Sequence, residues 1–106
     1  MTFAEYQLRE HNYKCITTFW DDFGIAERFG EAAVKDAFKR AFREWRTDYK
    51  YLTELVIVLN HRCWAHWHRG NKALSKIYSD LYYEAHGYAC ENLKGEEFDY
   101  YYNIVD

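Results

Sequence analysis

Apolar residues recur at helical spacing along most of the chain, from Thr18 to Leu93. The pattern is clearest from about Glu31 to Arg46, where the apolar residues are Val34, Phe38, Ala41, Phe42 and Trp45. Intervals of three and four residues place such side chains on one face of an α-helix. No proline interrupts the chain, so nothing in the sequence forces a break within a helix. The pattern therefore predicts an all-α fold, a compact bundle of four main helices.

Two signals mark the ends of a first helix. Thr18 followed by Asp21 is typical of a helix N-terminus, and Gly30 is typical of a C-terminal stop. The apolar residues between them predict its buried face: Trp20, Phe23, Ala26 and Phe29. The second helix follows this stop.

The next stretch predicts a third helix at the centre of the bundle, capped by Asp48 and running to about Arg69. Its apolar face, which Ile57 and Val58 widen, is formed by Leu52, Leu55, Val56, Leu59, Cys63 and Trp67. The β-branched run from Val56 to Val58 would also suit a buried strand, but strand alternation fails on both sides of it and the helical spacing continues. A helix that is apolar on more than one side is expected in the interior.

Gly70 and Asn71 predict a short turn and the start of a fourth helix, which runs to about Lys94. Because the connection is short, the third and fourth helices should form an antiparallel hairpin. After Gly95, a further pattern predicts a short docked C-terminal helix with the apolar residues Phe98, Tyr101, Tyr102 and Val105. The acidic charge of this segment argues against deep burial.

Residues 1–17 give a less regular pattern. Thr2 to Glu5 fits a capping box and favours a short helix, while residues 13–17 would also suit an extended segment. With 106 residues, the chain fits a single domain, 1–106.

Composition indicates where in the cell the protein is expected and in which redox state its cysteines are. The longest apolar run, Leu55 to Leu59, is far shorter than the roughly 20 residues of a membrane span. The first residues do not resemble a signal peptide, so we expect a cytoplasmic protein with no membrane partner. Its three cysteines are an odd number without close spacing, which is typical of reduced thiols.

Three stretches of the chain carry a resemblance to a known family: residues 19–26, 51–60 and 91–96. Together they resemble small uncharacterised proteins carried on phages and integrative elements of Gram-positive bacteria. The resemblance covers residues 18–97 and implies a bacterial mobile-element setting. The family has no assigned activity, so the resemblance implies no functional residue.

Cysteine and histidine occur in pairs on the two hairpin helices. Cys63 and His66 lie on the third helix, and His86 and Cys90 lie on the fourth, a ligand set that suits tetrahedral zinc. A turn at Gly70, however, separates Cys63 from His86 by about 12 Å along the hairpin. We therefore predict no metal site, and expect buried thiols and partly exposed imidazole rings.

Three histidines, His61, His66 and His68, crowd the end of the third helix. Because the helix dipole favours a cation at this end, we expect them to stabilise the helix terminus.

The sequence offers no catalytic constellation. A thiol–imidazole pair needs a pocket with an oxyanion site, and no glycine-rich turn lies near either cysteine pair. The helical acidic pairs, Glu27 with Glu31 and Asp80 with Glu84, lie on different helices with no sign of convergence on a cation. We therefore predict a protein that is not an enzyme and has no cofactor.

The second helix and the residues after it carry a regular basic pattern. The basic side chains form one stripe beside the apolar face: Lys35, Lys39, Arg43, Arg46 and Lys50. A solvated helix face is one interpretation, and a contact surface for phosphates or an acidic partner is the other. The acidic C-terminal segment could also cover the stripe.

Aromatic residues make up 21% of the chain, more than a small core readily buries. Those that fall off the predicted apolar faces form a candidate protein interface: Trp64, Tyr82, Tyr83 and Tyr100. The sequence thus predicts a small interaction domain, adaptor or regulatory, with a protein partner or a second copy in a homodimer. Nucleic-acid association through the basic stripe is the alternative.

Overall fold

The computed structural model describes the backbone of residues 13–105 and the side chains of residues 19–105. This part of the chain forms five helices and no strand: α1 Tyr13–Glu27, α2 Glu31–Trp45, α3 Tyr49–His68, α4 Lys72–Asn92 and α5 Glu96–Val105. The predicted all-α bundle of four main helices with a short C-terminal helix is confirmed. The capping box predicted at Thr2 lies outside the described residues.

Helix α3 lies at the centre and packs against each of the other four helices. Every residue from Leu52 to Leu59 is buried, which confirms the prediction of a central helix. Two polar residues, Thr53 and Glu54, belong to this buried run. The hydroxyl of Thr53 donates to the carbonyl oxygen of Tyr49 at 2.7 Å, so it is satisfied within its own helix.

The helix boundaries follow local signals at most positions. The Asp48 carboxylate accepts from the backbone N–H of Lys50 and of Tyr51, and the Asn71 side chain accepts from that of Leu74. Gly30 has a φ of 108°, a region that other residues rarely adopt, so its position between α1 and α2 fits glycine.

The prediction that the first helix starts at Thr18 is wrong. Helix α1 already begins at Tyr13, so residues 13–17 are helical rather than extended. A residue that can cap a helix, such as Thr18, does not prevent the helix from starting earlier in the chain. Residues 13–18 include no glycine or proline that would interrupt the helix.

The hairpin of α3 and α4 has the predicted antiparallel register. Near the turn, the Ser75 hydroxyl donates to the Cys63 carbonyl oxygen at 3.0 Å. At the same end of the hairpin, the His66 ring stacks on the Tyr78 ring, with centroids 5.6 Å apart.

Helix α5 docks on α3 and α4 more deeply than its charge suggested. Its acidic residues are exposed, but Tyr101 is only 1% exposed. The apolar face and the charges of an amphipathic helix are separable, so net charge did not decide the burial of Tyr101.

Candidate interaction groove

A groove of about 940 Å³ runs between α1 and α2 and opens to solvent. Eight of its fourteen lining residues are apolar: Phe19, Ile25, Ala26 and Phe29 from α1 and the turn after it, and Ala33, Ala37, Ala41 and Trp45 from α2. We call this feature the α1/α2 groove. The alanines recur every four residues, so they follow one face of α2 and leave space that larger side chains would fill.

Large apolar side chains border this groove without being buried. Phe29 is 78% exposed and Ile25 is 53% exposed. The sequence predicted Phe29 and Trp20 on the buried face of the first helix, and this is wrong. Among residues 19–27 of α1, the buried ones are Phe19, Phe23 and Ala26. Helix α1 ends at Glu27, so Phe29 lies in the turn and no longer follows the helical face.

The charges that line the α1/α2 groove are balanced. Three basic and three acidic residues contribute: Lys39, Arg40, Arg43, Asp22, Asp36 and Glu44. An apolar floor with flanking charges of both signs is the usual composition of a protein-binding surface. A polyanion would meet carboxylates as often as cations here.

Three buried side chains of the hairpin and one mostly buried carboxylate join α1 to the hairpin, and we call this set the polar clamp: Arg62, His66, Tyr78 and Glu27. Arg62 Nη1 donates to Glu27 Oε2 at 2.7 Å, and the Tyr78 hydroxyl donates to the same oxygen. His66 Nε2 lies 2.8 Å from Glu27 Oε1. The Glu27 carboxylate therefore meets groups from both α3 and α4.

Arg62 is also held by the backbone and ring of Trp20. Its Nη2 donates to the Trp20 carbonyl oxygen at 2.6 Å, and its guanidinium carbon lies 4.2 Å from the centroid of the indole ring. Gly24 makes room for this contact, because a Cβ there would lie 2.9 Å from Arg62 Nη2. The clamp thus fixes the rotation of α1 about its own axis and its position along the hairpin.

Burial raises the pKa of the Tyr78 phenol well above its ordinary value, and the hydrogen bond to Glu27 and the charge of Glu27 raise it further. Tyr78 therefore keeps its proton and acts as a donor in the clamp.

The predicted basic stripe divides into two parts. All five residues are exposed, but only Lys39 and Arg43 line the α1/α2 groove. Among the described residues, none of the five forms an ion pair, and the acidic residues of α5 form none with them. Instead, the guanidinium carbon of Arg46 lies 6.0 Å from the centroid of the Phe42 ring, and Lys50 Nζ lies 5.9 Å from the centroid of the Tyr49 ring.

The predicted aromatic interface is only partly exposed. Trp64 is 54% exposed and Tyr83 is 66% exposed. In contrast, Tyr82 is half-buried with its ring stacked on His86, and Tyr100 is half-buried against Tyr49. These two are therefore less exposed than predicted, because the Tyr82 ring packs on His86 and the docking of α5 places Tyr100 of that helix against Tyr49.

The prediction of buried thiols and partly exposed imidazole rings also needs correction. Cys63 is half-buried, Cys90 is exposed, and the His66 ring is buried. Trp67, predicted on the apolar face of the third helix, is 54% exposed. Residues 19–105 contain no group of three or more histidine, cysteine or acidic side chains able to share a metal ion.

Sequence reasoning missed the polar clamp, although a signal for it is present. Arg62 and His66 continue the spacing of Leu55 and Leu59 on α3, and Glu27 follows Phe23 by one turn on α1. Charges of opposite sign on two buried faces indicate a possible pair. The sequence alone did not show that these faces meet.

No family model, no curated protein and no solved structure matches this chain. Among the described residues, none of the helices combines the length and apolar character needed to cross a membrane.

Proposed function

We propose that this protein is a non-enzymatic interaction domain that binds an amphipathic helix of a partner protein in the α1/α2 groove. The observation that carries the proposal is the 78% exposure of Phe29 beside an open groove with an apolar floor. A large exposed apolar side chain next to a concave apolar surface is typical of a binding site.

The dimensions of the groove favour a helix as the occupant. On α2 the lining extends from Ala33 to Trp45. At a rise of 1.5 Å per residue, this distance is about 18 Å, the length of about three helical turns. A partner helix with apolar residues at intervals of three and four would place them along the alanine face of α2.

The charge balance favours a protein over the alternative, a nucleic acid. Lys39 and Arg43 meet the solvent at the groove, but Asp36 and Glu44 line the same wall. A phosphate backbone is a uniform row of negative charges, whereas a peptide can match both signs. In this proposal, Lys39 and Arg43 of the basic stripe form salt bridges with acidic residues of the partner peptide at the rim of the groove, and these contacts orient the peptide.

The setting that we propose is an adaptor or regulatory role in a bacterial mobile element, in agreement with the resemblance noted for residues 18–97. A second copy of the chain is the other candidate occupant. That case would make the protein a homodimer through the groove.

The proposal can be tested with a displayed library of helical peptides of about 12 residues, the number that spans the groove at 1.5 Å per residue, selected against the full chain. We expect the selected peptides to carry apolar residues at helical spacing and to shift the NMR signals of Ala37 and Ala41. Phe29→Glu should weaken their binding at least tenfold, because it places a charge at the apolar margin. Trp64→Glu, an equally drastic change on another exposed aromatic, should leave it unchanged.

Two pairs of charge reversals separate a peptide from a nucleic acid. Lys39→Glu with Arg43→Glu should weaken the selected peptide, while Lys35→Glu with Arg46→Glu should not, since Lys35 and Arg46 do not line the groove. Nucleic-acid binding that both pairs weaken equally, with a steep salt dependence, would overturn the proposal. Selected peptides that shift only the signals near Trp64 or Tyr83 would also overturn it.

Sedimentation measurements address the second copy. A dimer that Phe29→Glu converts to monomers would show that the groove binds its own chain rather than a partner helix. A monomer at high micromolar concentration would favour a different protein as the occupant.

A further inference from the structure

A second chemical feature lies toward the C-terminal end of α4, where α5 docks on that helix. It consists of three side chains in a row: Cys90, His86 and Tyr101. Cys90 Sγ lies 3.6 Å from His86 Nε2, and His86 Nδ1 lies 2.5 Å from the Tyr101 hydroxyl oxygen. A thiol, an imidazole and a phenol are thus joined in a row by hydrogen-bonding contacts.

The phenol at the inner end of the row is a proton donor. Tyr101 is 1% exposed, and burial raises its pKa well above the ordinary value, as do the nearby Tyr82 and Cys90. The His86 ring nitrogen is its hydrogen-bond partner. Because a buried hydroxyl needs an acceptor, Tyr101 donates to Nδ1.

This donation fixes the tautomer of the imidazole. A neutral ring that accepts at Nδ1 carries its hydrogen on Nε2. Nε2 therefore donates toward the Cys90 sulfur, and the Tyr82 ring stacked on His86 holds the imidazole plane. An N–H donor beside the sulfur can hydrogen-bond the thiolate, which is the nucleophilic form of cysteine.

The sulfur at the outer end of the row is accessible. Cys90 is exposed, whereas Cys63 is half-buried and lies against Ser75. The two described thiols thus differ in access and in their neighbours. Exchange at sulfur requires an accessible thiolate, whereas acyl transfer also requires an oxyanion site.

We propose that Cys90 is a site of reversible S-thiolation, at which a low-molecular-weight disulfide forms a mixed disulfide with the protein. The Cys90 thiol first loses its proton to solvent. The thiolate, held by His86 Nε2–H, attacks one sulfur of the small disulfide, and the bond between its two sulfurs breaks. One half remains bonded to Cys90, and the other leaves as a thiolate that takes a proton from solvent. Excess thiol reverses the step.

The test measures the rate of reaction with oxidised glutathione in a Cys15→Ser, Cys63→Ser background of the full chain, with mass spectrometry to locate the adduct. The same chain unfolded in urea provides the reference for an unassisted Cys90. We expect the folded protein to react at least about fivefold faster than this reference at neutral pH. Cys63, tested in a Cys15→Ser, Cys90→Ser background, should react more slowly than Cys90.

Two variants separate assistance from mere exposure. His86→Gln should remove the rate advantage and shift the pH profile of the reaction toward that of the unfolded chain. Tyr101→Phe should reduce the advantage in part, because Tyr101 is a positioning residue and acts only through His86. Both variants retain Tyr82, so the aromatic ring beside position 86 is the same in each. A folded protein that reacts no faster than its unfolded chain, or a pH profile unchanged in His86→Gln, would overturn the proposal.

Discussion

The α3–α4 interface and the interface between α1 and this hairpin differ in the side chains that form them. Helices α3 and α4 meet along an apolar interface that includes Leu59 and Leu81. Helix α1 also packs apolar side chains on this core, but the polar clamp around Glu27 adds a charged contact with the hairpin, and α1 borders an open groove on its α2 side. Apolar packing tolerates small shifts, whereas a carboxylate held by Arg62 and Tyr78 permits only one position. The contrast suggests that the hairpin supplies stability and the clamp positions the binding surface.

The largest expected effect comes from breaking the clamp. Arg62→Met removes the guanidinium that pairs with the mostly buried Glu27 carboxylate, so it should destabilise the protein by about 3–5 kcal/mol. Arg69→Met, a change of the same type at an exposed position on the same hairpin, should stay within about 0.5 kcal/mol. Urea unfolding followed by circular dichroism measures both. Equal effects of the two substitutions would show that the clamp does not hold α1.

The next effect compares the hairpin core with the groove margin. Leu59→Ala should cost about 2–5 kcal/mol, because Leu59 is fully buried and its truncation leaves a cavity. Phe29→Ala should change the free energy of unfolding by no more than about 0.5 kcal/mol, since its ring is already in water. A large loss of stability in Phe29→Ala would show that Phe29 belongs to the core, and would remove the observation behind the proposed function.

The sequence predicted the hairpin better than the clamp. The hairpin depends on local sequence patterns, whereas the clamp depends on a contact between residues far apart in the chain. The boundaries near Asp48 and Asn71 depend on local caps, and the central helix on its own apolar spacing, so neighbouring residues suffice. The clamp depends on Glu27 meeting Arg62 across the bundle, which local patterns do not encode. The half-burial of Tyr82 and Tyr100 likewise depends on where α5 docks.

Alkaline pH should act on the two buried phenols. Tyr78 and Tyr101 have pKa values raised above the ordinary value of about 10, so they stabilise the folded state below that pH. Their contribution is lost as the pH rises further, because the unfolded chain then releases protons that the folded protein retains. The urea midpoint should therefore fall above a pH of about 10. Tyr78→Phe should reduce this fall, and Tyr83→Phe, at an exposed position, should not.

The smallest effect distinguishes two glycines inside helices. At an ordinary helical position, replacing glycine by alanine stabilises a protein by up to about 1 kcal/mol. Gly87 on α4 has open space where a Cβ would lie, so Gly87→Ala should show this gain. At Gly24 on α1, the new Cβ would lie 2.9 Å from Arg62 Nη2.

The end of an arginine side chain usually moves aside at little cost, and the outcome at Gly24 depends on whether Arg62 can do so. Its guanidinium is held by the Glu27 carboxylate, the Trp20 carbonyl oxygen and the Trp20 ring. We therefore expect Gly24→Ala to lose the gain seen at Gly87, and to lower the free energy of unfolding relative to Gly87→Ala by about 1 kcal/mol or more. Equal gains at the two positions, measured by urea unfolding, would mean that Arg62 is free to move and that the clamp fixes α1 less tightly than its contacts indicate.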